Sequence, residues 1–295
     1  LTTGPSVALM NVATDKNFFE EERINVEVKK FTGGKFALQA VVGGSLDIAT
    51  AAELPITLAT MNGEKLSILS QINETKDLSM ILRKENGDFN PVTYFAKKRK
   101  IATSVGASSE FFSSEFFKKY NINSSQYEII SAKPEDTPIM LANGSVDGIA
   151  IYEPFAHFAT QRTGVDKVLV IKEPDIYSEI MVLVTKSNWA TGHEEEITRF
   201  LRALQKAEKF TKENPEETMD MVSSFTTLDK DTLKNIWPKF TMHLEFGKKL
   251  IPIMEKEAQW AKDTGKVPKE IATPNFREFI FEAPLKKVAP SAVEL

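Results

Sequence analysis

Hydrophobic and polar positions follow two different patterns along this chain of 295 residues. Over roughly the first two-thirds, short β-branched runs alternate with amphipathic segments that have the period of a helix. This alternation is typical of βαβ units, so it predicts an α/β fold with mostly parallel sheets. After about Ser187 the short runs cease, and longer amphipathic segments predict a helical region.

The runs rich in β-branched residues give the predicted strands. They are Asn25–Lys30, Leu46–Ala51, Leu66–Gln71, Leu78–Arg83, Lys100–Val105, Tyr127–Ser131, Gly148–Tyr152, Lys167–Ile171 and Ile180–Thr185. The amphipathic segments give the predicted helices, and in those beginning at Pro55 and Pro154 the missing N–H of proline at the first helical position costs nothing. They are Ser6–Asn17, Lys35–Val42, Pro55–Met61, Ser109–Tyr120, Pro134–Ala142, Pro154–Gln161, His193–Glu213, Pro215–Ser223, Asp231–Trp237 and Pro252–Thr264.

Composition narrows the class of protein without naming it. Hydrophobic residues make up 42% and charged residues 26%, which is enough for a large core. The formal net charge of −4 offers no basic surface for nucleic acid. No apolar run reaches the roughly 18 residues of a membrane-spanning helix. The chain has no cysteine, which excludes disulfides, thiolate metal sites and cysteine nucleophiles.

The printed chain opens abruptly on the polar turn Thr2-Thr3-Gly4-Pro5. A strand would normally precede such a turn, so we expect the sequence to begin after processing or truncation.

An internal repeat is the most informative motif. Gly44-Ser45-Leu46-Asp47-Ile48-Ala49 recurs as Gly144-Ser145-Val146-Asp147-Gly148-Ile149-Ala150, shifted by 100 positions. Each copy is predicted to end a helix and open a strand. Each then reaches a glutamate, Glu53 or Glu153, one or two residues before a proline.

The repeat predicts two equivalent lobes. Ligands of open α/β sheets bind at the carboxyl ends of strands, where helix N-termini present unpaired N–H groups. If the strand ends of the two lobes face each other, a ligand in the interlobe cleft would meet Glu53 from one side and Glu153 from the other. The alternative is that both glutamates cap helices on the surface.

Two further turns lie at strand-to-helix junctions. They are Phe31-Thr32-Gly33-Gly34-Lys35 and Ser104-Val105-Gly106-Ala107-Ser108-Ser109-Glu110. Small and hydroxyl-bearing residues let main-chain N–H groups approach a ligand oxygen, and the helix dipole favours negative charge there. Neither turn has the spacing of a P-loop or a dinucleotide fingerprint, and either could be an ordinary tight turn.

Several segments in order resemble one family. Asp15-Lys16-Asn17-Phe18-Phe19 followed by Glu20–Val28 is similar to its "Lys-Gly-Phe-Phe, then Glu-Gly-Leu-Asp-Val" segment, although Asn17 replaces the glycine and Arg23-Ile24-Asn25 replaces Gly-Leu-Asp. The turns above, Glu153-Pro154, Asn214-Pro215-Glu216 and, loosely, Pro284–Val288 follow in the family's order. The chain resembles the periplasmic substrate-binding proteins of nitrate, sulfonate and taurine transporters, grouped with thiamine-pyrimidine synthase-like proteins.

The resemblance implies a type II periplasmic-binding-protein fold of two βαβ lobes with an interlobe ligand cleft. Lobe one would be residues 1–81 and 184–295, and lobe two residues 82–183. By matching position, the resemblance assigns ligand contacts to Pro5, Ser6, Gly34, Glu53, Ser108, Ser109 and Glu153, with Glu110 and Tyr177 as further candidates. The mechanism would be hinge closure on the ligand, with the closed form recognised by an ABC-type permease.

Two other functions remain open at this point. Enzymes of similar fold make thiamine pyrimidine or menaquinone precursors, but this chain has no cysteine, and His157, His193 and His243 are scattered. No Gly-x-Ser-x-Gly or His-Glu-x-x-His motif is present, so we expect no catalytic residues, metal or cofactor. The chain could also be the ligand-sensing domain of a membrane receptor.

The candidate contacts also constrain the ligand. Burying carboxylates beside a simple oxyanion is costly, so nitrate fits poorly. We expect a small organic ligand with an amine or another donor, such as an aminosulfonate or a pyrimidine precursor, whose acidic end lies on the glycine turns. We expect a monomer in the periplasm or on the extracytoplasmic face of the cell membrane.

Overall fold

The computed structural model describes residues 1–2, 4–85, 90–226 and 228–295. Thr3 of the predicted opening turn therefore lies outside the described residues. The chain divides into two compact units. The first unit is Leu1–Thr75 with Glu179–Leu295, and the second unit is Lys76–Ser178.

The first unit begins with a 3-10 turn at Pro5–Val7. The elements that follow are α1 (Ala8–Asp15), α2 (Phe18–Glu21), α3 (Gly34–Val42), β1 (Ile48–Ala52), α4 (Glu53–Met61) and β2 (Leu66–Thr75). Those of the second unit are β3 (Ser79–Arg83), α5 (Pro91–Tyr94), β4 (Arg99–Thr103), α6 (Ser108–Lys119), β5 (Tyr127–Ser131), α7 (Thr137–Ala142), β6 (Gly148–Ile151), α8 (Phe155–Thr163) and β7 (Val168–Lys172).

The chain then returns to the first unit. Its remaining elements are β8 (Glu179–Lys186), α9 (Ser187–Gly192), α10 (Glu194–Glu213), α11 (Pro215–Thr226), α12 (Lys230–Ile236), β9 (Phe240–Glu245), α13 (Leu250–Asp263) and α14 (Ala283–Val288). The predicted helical region is confirmed. The buried stripe of α10 is formed by Ile197, Leu201, Leu204 and Ala207, which recur at the three- and four-residue spacing of one helix face.

The sheet of the first unit is antiparallel, so the prediction of mostly parallel sheets is wrong for this unit. Its strand order is β1-β8-β2-β9, and all three pairings are antiparallel. β8 returns from the second unit and inserts between β1 and β2, so these two strands do not pair with each other. Periodicity cannot reveal this insertion, because a buried strand has the same pattern in either direction.

The sheet of the second unit is mixed, with strand order β5-β4-β6-β3-β7. β4 pairs in parallel with β5 and β6, whereas β3 is antiparallel to β6 and β7. The core below this sheet includes Ile81, Leu141, Ile149 and Val168, all fully or nearly buried. Residues 76–81 lie in the second unit and residues 179–183 in the first, whereas the predicted lobe boundaries assigned them the other way round. The reason is that β3 and β8 each pair within a single sheet.

One predicted strand is absent from the structure, and one observed strand was not predicted. Residues 25–30 form no ladder; a single bridge, between Phe31 and Thr2, follows the segment, which therefore lacks the repeated partners that define a strand. β9 was not predicted, because Phe240–Glu245 lies between helical segments and has only one β-branched residue, Thr241. It pairs with β2, a contact that only the tertiary structure provides.

The predicted positions of two prolines at the first residue of a helix are also wrong. Pro55 is the third residue of α4, which begins at Glu53, and Pro154 is the residue before α8, joined to Glu153 by a cis peptide bond. Both prolines remain within the first turn or next to it, where a missing N–H group breaks no helical hydrogen bond.

The two copies of the repeat have the same local structure. Gly44 and Gly144 both have φ of +77° and lie two residues after the last residues of helices α3 and α7. β1 and β6 begin at residues 48 and 148, and thus four residues after each glycine. Positive φ is unfavourable for residues with a Cβ atom, so glycine at this position ends the helix and turns the chain into the strand.

Substituting Gly44 tests this requirement. Gly44→Ala should reduce the free energy of unfolding by about 1–2 kcal/mol, because a left-handed conformation costs that much with a Cβ atom. Crowding cannot explain such a loss, since an added Cβ would lie 4.0 Å from the nearest neighbouring atom, Nζ of Lys186.

Gly192→Ala is the matched control. Gly192 lies at the end of α9 with no atom within 4 Å of an added Cβ and without positive φ, so alanine there should not destabilise the protein. Denaturant unfolding of both variants would contradict the interpretation if Gly44→Ala were as stable as the control.

Candidate functional site

Two helix starts of the first unit lie at the carboxyl end of β1, and a residue just before the 3-10 turn is bonded to the same strand. Thr2, just before the 3-10 turn at Pro5–Val7, donates its main-chain N–H to Thr50 Oγ1 at 3.2 Å. α3 starts at Gly34 against Ala51, and α4 starts at Glu53, directly after β1. We call Pro5, Ser6, Gly34 and Glu53 the first cluster; Pro5, Ser6 and Glu53 are buried.

Glycine at position 34 is required for the close contact between the start of α3 and the end of β1. A Cβ atom on residue 34 would lie 2.7 Å from Cα of Ala51 and 3.1 Å from the carbonyl oxygen of Thr50. These neighbours are main-chain atoms that cannot rotate away, so only glycine lets the start of α3 lie against the end of β1. No side chain caps the start of this helix.

Glu53 is fully buried at the first turn of α4. Its carboxylate Oε2 accepts a hydrogen bond from the main-chain N–H of Ile180 at 2.9 Å. Ile180 lies in β8, the strand inserted beside β1, so the glutamate joins a helix start to the neighbouring strand. The negative charge also lies at the positive end of the helix dipole.

The second unit presents a second cluster. β4 and β6 are adjacent and parallel, so their carboxyl ends lie at the same edge of the sheet. Ser108, Ser109 and Glu110 open α6 after β4, and Glu153 follows β6. We call these four residues, with Tyr177, the second cluster; all five are buried.

Glu153 has partners on two sides within its unit. Its Oε2 accepts the main-chain N–H of His157 in the first turn of α8 at 2.9 Å. Its own N–H is donated to Asp77 Oδ2 at 3.1 Å. The sequence reasoning missed Asp77, which is 3% exposed; an acidic residue directly before a buried strand is the signal that could have found it.

Ser108 differs from its neighbours in the second cluster. Ser109 Oγ accepts a hydrogen bond from Thr103 at 2.9 Å, and Glu110 Oε2 accepts the main-chain N–H of Gly106 at 2.8 Å. Ser108 Oγ is buried without a partner among the described residues, at a helix N-terminus that no side chain caps. A buried hydroxyl without a partner is costly, so this position is suited to a ligand atom.

Tyr177 is held by an aromatic contact. Its ring packs edge-to-face on Phe111, with 5.1 Å between ring centroids. Phe111 is fully buried in α6, next to the serines that open the helix. The ring of Tyr177 therefore lies beside the same helix as Ser108, Ser109 and Glu110.

The buried positions of Glu53 and Glu153 rule out surface capping as their role. The capping chemistry is nevertheless present, because each carboxylate accepts a main-chain N–H at the start of a helix or strand. Each glutamate thus joins main-chain groups within its own unit.

The three histidines have separate local surroundings. His157 lies in the first turn of α8, the ring of His193 stacks on Trp189 with 4.3 Å between centroids, and His243 on β9 lies 3.0 Å from Glu245. Among the described residues, no group of three or more histidine, aspartate or glutamate side chains could hold a metal ion. None of the helices in the described ranges is long and apolar enough to span a membrane.

The chain belongs to the NMT1/THI5-like family, whose model matches residues 4–218. A protein of Bacillus subtilis (strain 168), provisionally named an aliphatic sulfonates-binding protein, is 27% identical over 236 residues. That match covers 78% of this chain and 70% of the relative. A provisionally named binding protein of Brucella abortus (strain 2308) is 19% identical over 76% of this chain and 69% of its own length.

Solved structures establish the fold. The periplasmic aliphatic sulphonate binding protein SsuA from Escherichia coli has a TM-score of 0.77 at 19% identity, with 95% of each chain covered. The alkanesulfonate-binding protein SsuA of Xanthomonas axonopodis pv. citri, bound to MOPS, has a TM-score of 0.79 at 14% identity. The match covers 95% of this chain and 96% of that one. The periplasmic nitrate-binding protein NrtA from Synechocystis PCC 6803 has a TM-score of 0.74 at 14% identity. The match covers 98% of this chain and 87% of that one. The predicted type II periplasmic-binding-protein fold is confirmed.

Removing the Glu53 carboxylate should destabilise the first unit. Glu53→Ala leaves the buried N–H of Ile180 without an acceptor, which should lower the free energy of unfolding by about 1–3 kcal/mol. Glu53→Gln keeps an acceptor oxygen and should lose less. Denaturant unfolding measures both, with the exposed Glu20→Ala as a control expected to change by less than about 0.5 kcal/mol. Equal stability of Glu53→Ala and the control would contradict this role.

Proposed function

We propose that this chain is the extracytoplasmic solute-binding protein of an ABC-type importer, and that its ligand is a small organic molecule with an anionic end and a donor end. The observation that carries the proposal is Ser108, whose hydroxyl is buried without a partner in the described part of the chain, at the uncapped start of α6. Binding without chemistry also agrees with the relatives, which are named as binding proteins.

The anionic end of the ligand is assigned to the start of α6. The first N–H groups of a helix have no partner inside the helix, and the helix dipole favours negative charge there. The hydroxyl of Ser108 adds a donor that a sulfonate or carboxylate oxygen could accept. The proteins of similar fold that are described as binding sulfonates or nitrate support an anionic group.

The donor end of the ligand is assigned to the buried carboxylates. Glu53, Glu110 and Glu153 are all at most 8% exposed, and a second anion beside them would be unfavourable. An amine would instead gain charge-assisted hydrogen bonds to the carboxylate oxygens, each of which can accept more than one donor. A zwitterionic aminosulfonate satisfies both ends, and an aminopyrimidine satisfies the donor end only.

Capture would follow from differential affinity. A ligand that contacts Pro5, Ser6, Gly34 or Glu53 of the first cluster and also the second cluster binds the closed conformation more tightly than the open one. That difference shifts the population toward the closed form, which a permease can recognise. We expect a monomer that works on the extracytoplasmic face of the membrane or in the periplasm.

Calorimetry with four probes tests the ligand class. We expect 2-aminoethanesulfonate to bind at least about tenfold more tightly than ethanesulfonate, because only the former carries a donor for the carboxylates. Nitrate should bind weakly. Tight binding of 4-aminopyrimidines alone would retain the donor end and reject the anionic end. Tight binding of nitrate with no response to amine-bearing probes would overturn the proposal.

Ser108→Ala tests the anionic subsite. Its affinity for 2-aminoethanesulfonate should fall about tenfold, since one hydrogen bond to a charged group is lost. Ser114→Ala removes the same hydroxyl from the same helix outside the second cluster and should bind as the parent does. Equal affinities of the two variants would remove Ser108 from the site.

Small-angle scattering tests closure. The radius of gyration should decrease when the ligand found by calorimetry is added, and Glu153→Gln should weaken both binding and compaction while keeping an acceptor for the N–H of His157. The closure model is wrong if no tested ligand compacts the protein and Glu153→Ala still binds normally.

A further inference from the structure

One buried amide of the first unit is not used by the fold. Asn73 on β2 is fully buried, and neither atom of its side-chain amide has a hydrogen-bond partner among the described residues. Gln71, two residues earlier, is buried but paired, because its Oε1 accepts the main-chain N–H of Gly247 at 2.7 Å. A buried amide is costly unless its atoms are paired, so the unpaired amide of Asn73 is suited to a ligand.

The strand register places Asn73 at the edge of the sheet where Glu53 lies. β1 and β2 are both antiparallel to β8, which lies between them, so their carboxyl ends lie at the same edge. Asn73 and Ala52 are both paired with Met181, and Glu53 directly follows Ala52. Ligands of α/β folds bind beyond the carboxyl ends of strands, and Asn73 lies at such an end.

Two further contacts connect this part of β2 with the first cluster. The 3-10 turn at Pro5–Val7 packs against both β2 and β9. Glu74, the residue after Asn73, pairs with Ile180, whose main-chain N–H is donated to Glu53 Oε2. Asn73 is thus next to the pair of residues that fixes the position of the Glu53 carboxylate.

The strand is irregular at the same position. Between Gln71 and Asn73 the register of β2 shifts against both of its neighbours, β8 and β9. On the β8 side, two steps along β2 match the single step from Val182 to Met181. Such a bulge interrupts the ladder and changes the direction of a side chain, and bulges are frequent next to active sites. The irregularity agrees with a functional role for Asn73.

We propose that Asn73 is a further ligand-binding residue of the first unit and that it selects for a primary amine. The inference rests on the proposed function, because it assigns Asn73 to the donor end of the same ligand. A protonated primary amine has three N–H donors, so it can bond to the amide oxygen of Asn73 as well as to a carboxylate. A protonated tertiary amine has a single N–H and can complete only one of these bonds. The amide nitrogen of Asn73 donates to an oxygen of the ligand.

Calorimetry with two amines tests this selectivity. The parent protein should bind 2-aminoethanesulfonate about tenfold more tightly than its N,N-dimethyl derivative. Asn73→Leu should bind the primary amine about tenfold more weakly than the parent does and should lose most of the preference for it, because one acceptor is gone. Asn73→Ala, which cannot overfill the position, should show the same loss. A purely structural role of the amide would leave the ratio of the two affinities unchanged.

Urea unfolding separates a role in binding from a role in folding. Asn73→Leu replaces an unpaired buried amide with an apolar side chain of similar size, so the unfolding midpoint should not fall. Asn11→Leu is the matched control. Asn11 is 2% exposed, and its amide atoms also have no partner among the described residues, but its helix α1 packs on α10 and α11. The control should keep the parent's affinity for both amines.

Three results would overturn the role of Asn73 and leave the proposed function intact, provided that the parent binds the primary amine. The first is that both Asn73 variants keep the parent's affinity and selectivity. The second is that the Asn11 control loses as much affinity as they do. The third is that Asn73→Leu and Asn73→Ala both lower the unfolding midpoint without changing the ratio of the two affinities. If the parent binds no amine or sulfonate probe, the proposed function itself is rejected, and the role of Asn73 with it.

Discussion

Main-chain N–H groups at the ends of strands and helices must find acceptors once they are buried, and this constraint organises both units. In the first unit the acceptor for Ile180 is the carboxylate of Glu53, which holds the start of α4 to the inserted strand β8. In the second unit the carboxylate of Glu153 serves the first turn of α8. Burying a carboxylate is costly unless it is hydrogen-bonded, so these bonds also explain how two glutamates remain inside.

The same constraint produces the candidate binding residues. Main-chain bonds hold the glutamates in place, and Gly34 keeps the start of α3 close to β1. Ser108 is the contrasting residue, because its hydroxyl is buried without a partner among the described residues. Binding at these residues would discriminate between ligands through the hydrogen bonds that each ligand can complete.

The repeated segment shows how one local solution is used in two sheets. Gly44 and Gly144 end their helices with the same positive φ, and the strands that follow begin at the same offset. Beyond that point the copies differ, since β1 lies at the edge of its sheet beside β8, while β6 lies between β4 and β3. Local geometry is thus shared, and the strand neighbours are not.

The sequence alone determined the elements whose cause is local: the glycine stops at Gly44 and Gly144, the apolar stripe of α10, and the small residues at the starts of α3 and α6. Periodicity and turn chemistry act over a few residues and need no knowledge of the fold. Tertiary structure decided which strands pair: it inserted β8 beside β1, added β9, and left residues 24–29 without a ladder. It also placed Asp77 beside Glu153 and buried the hydroxyl of Ser108 without a hydrogen-bond partner among the described residues, because burial and hydrogen-bond satisfaction depend on neighbours distant in the chain.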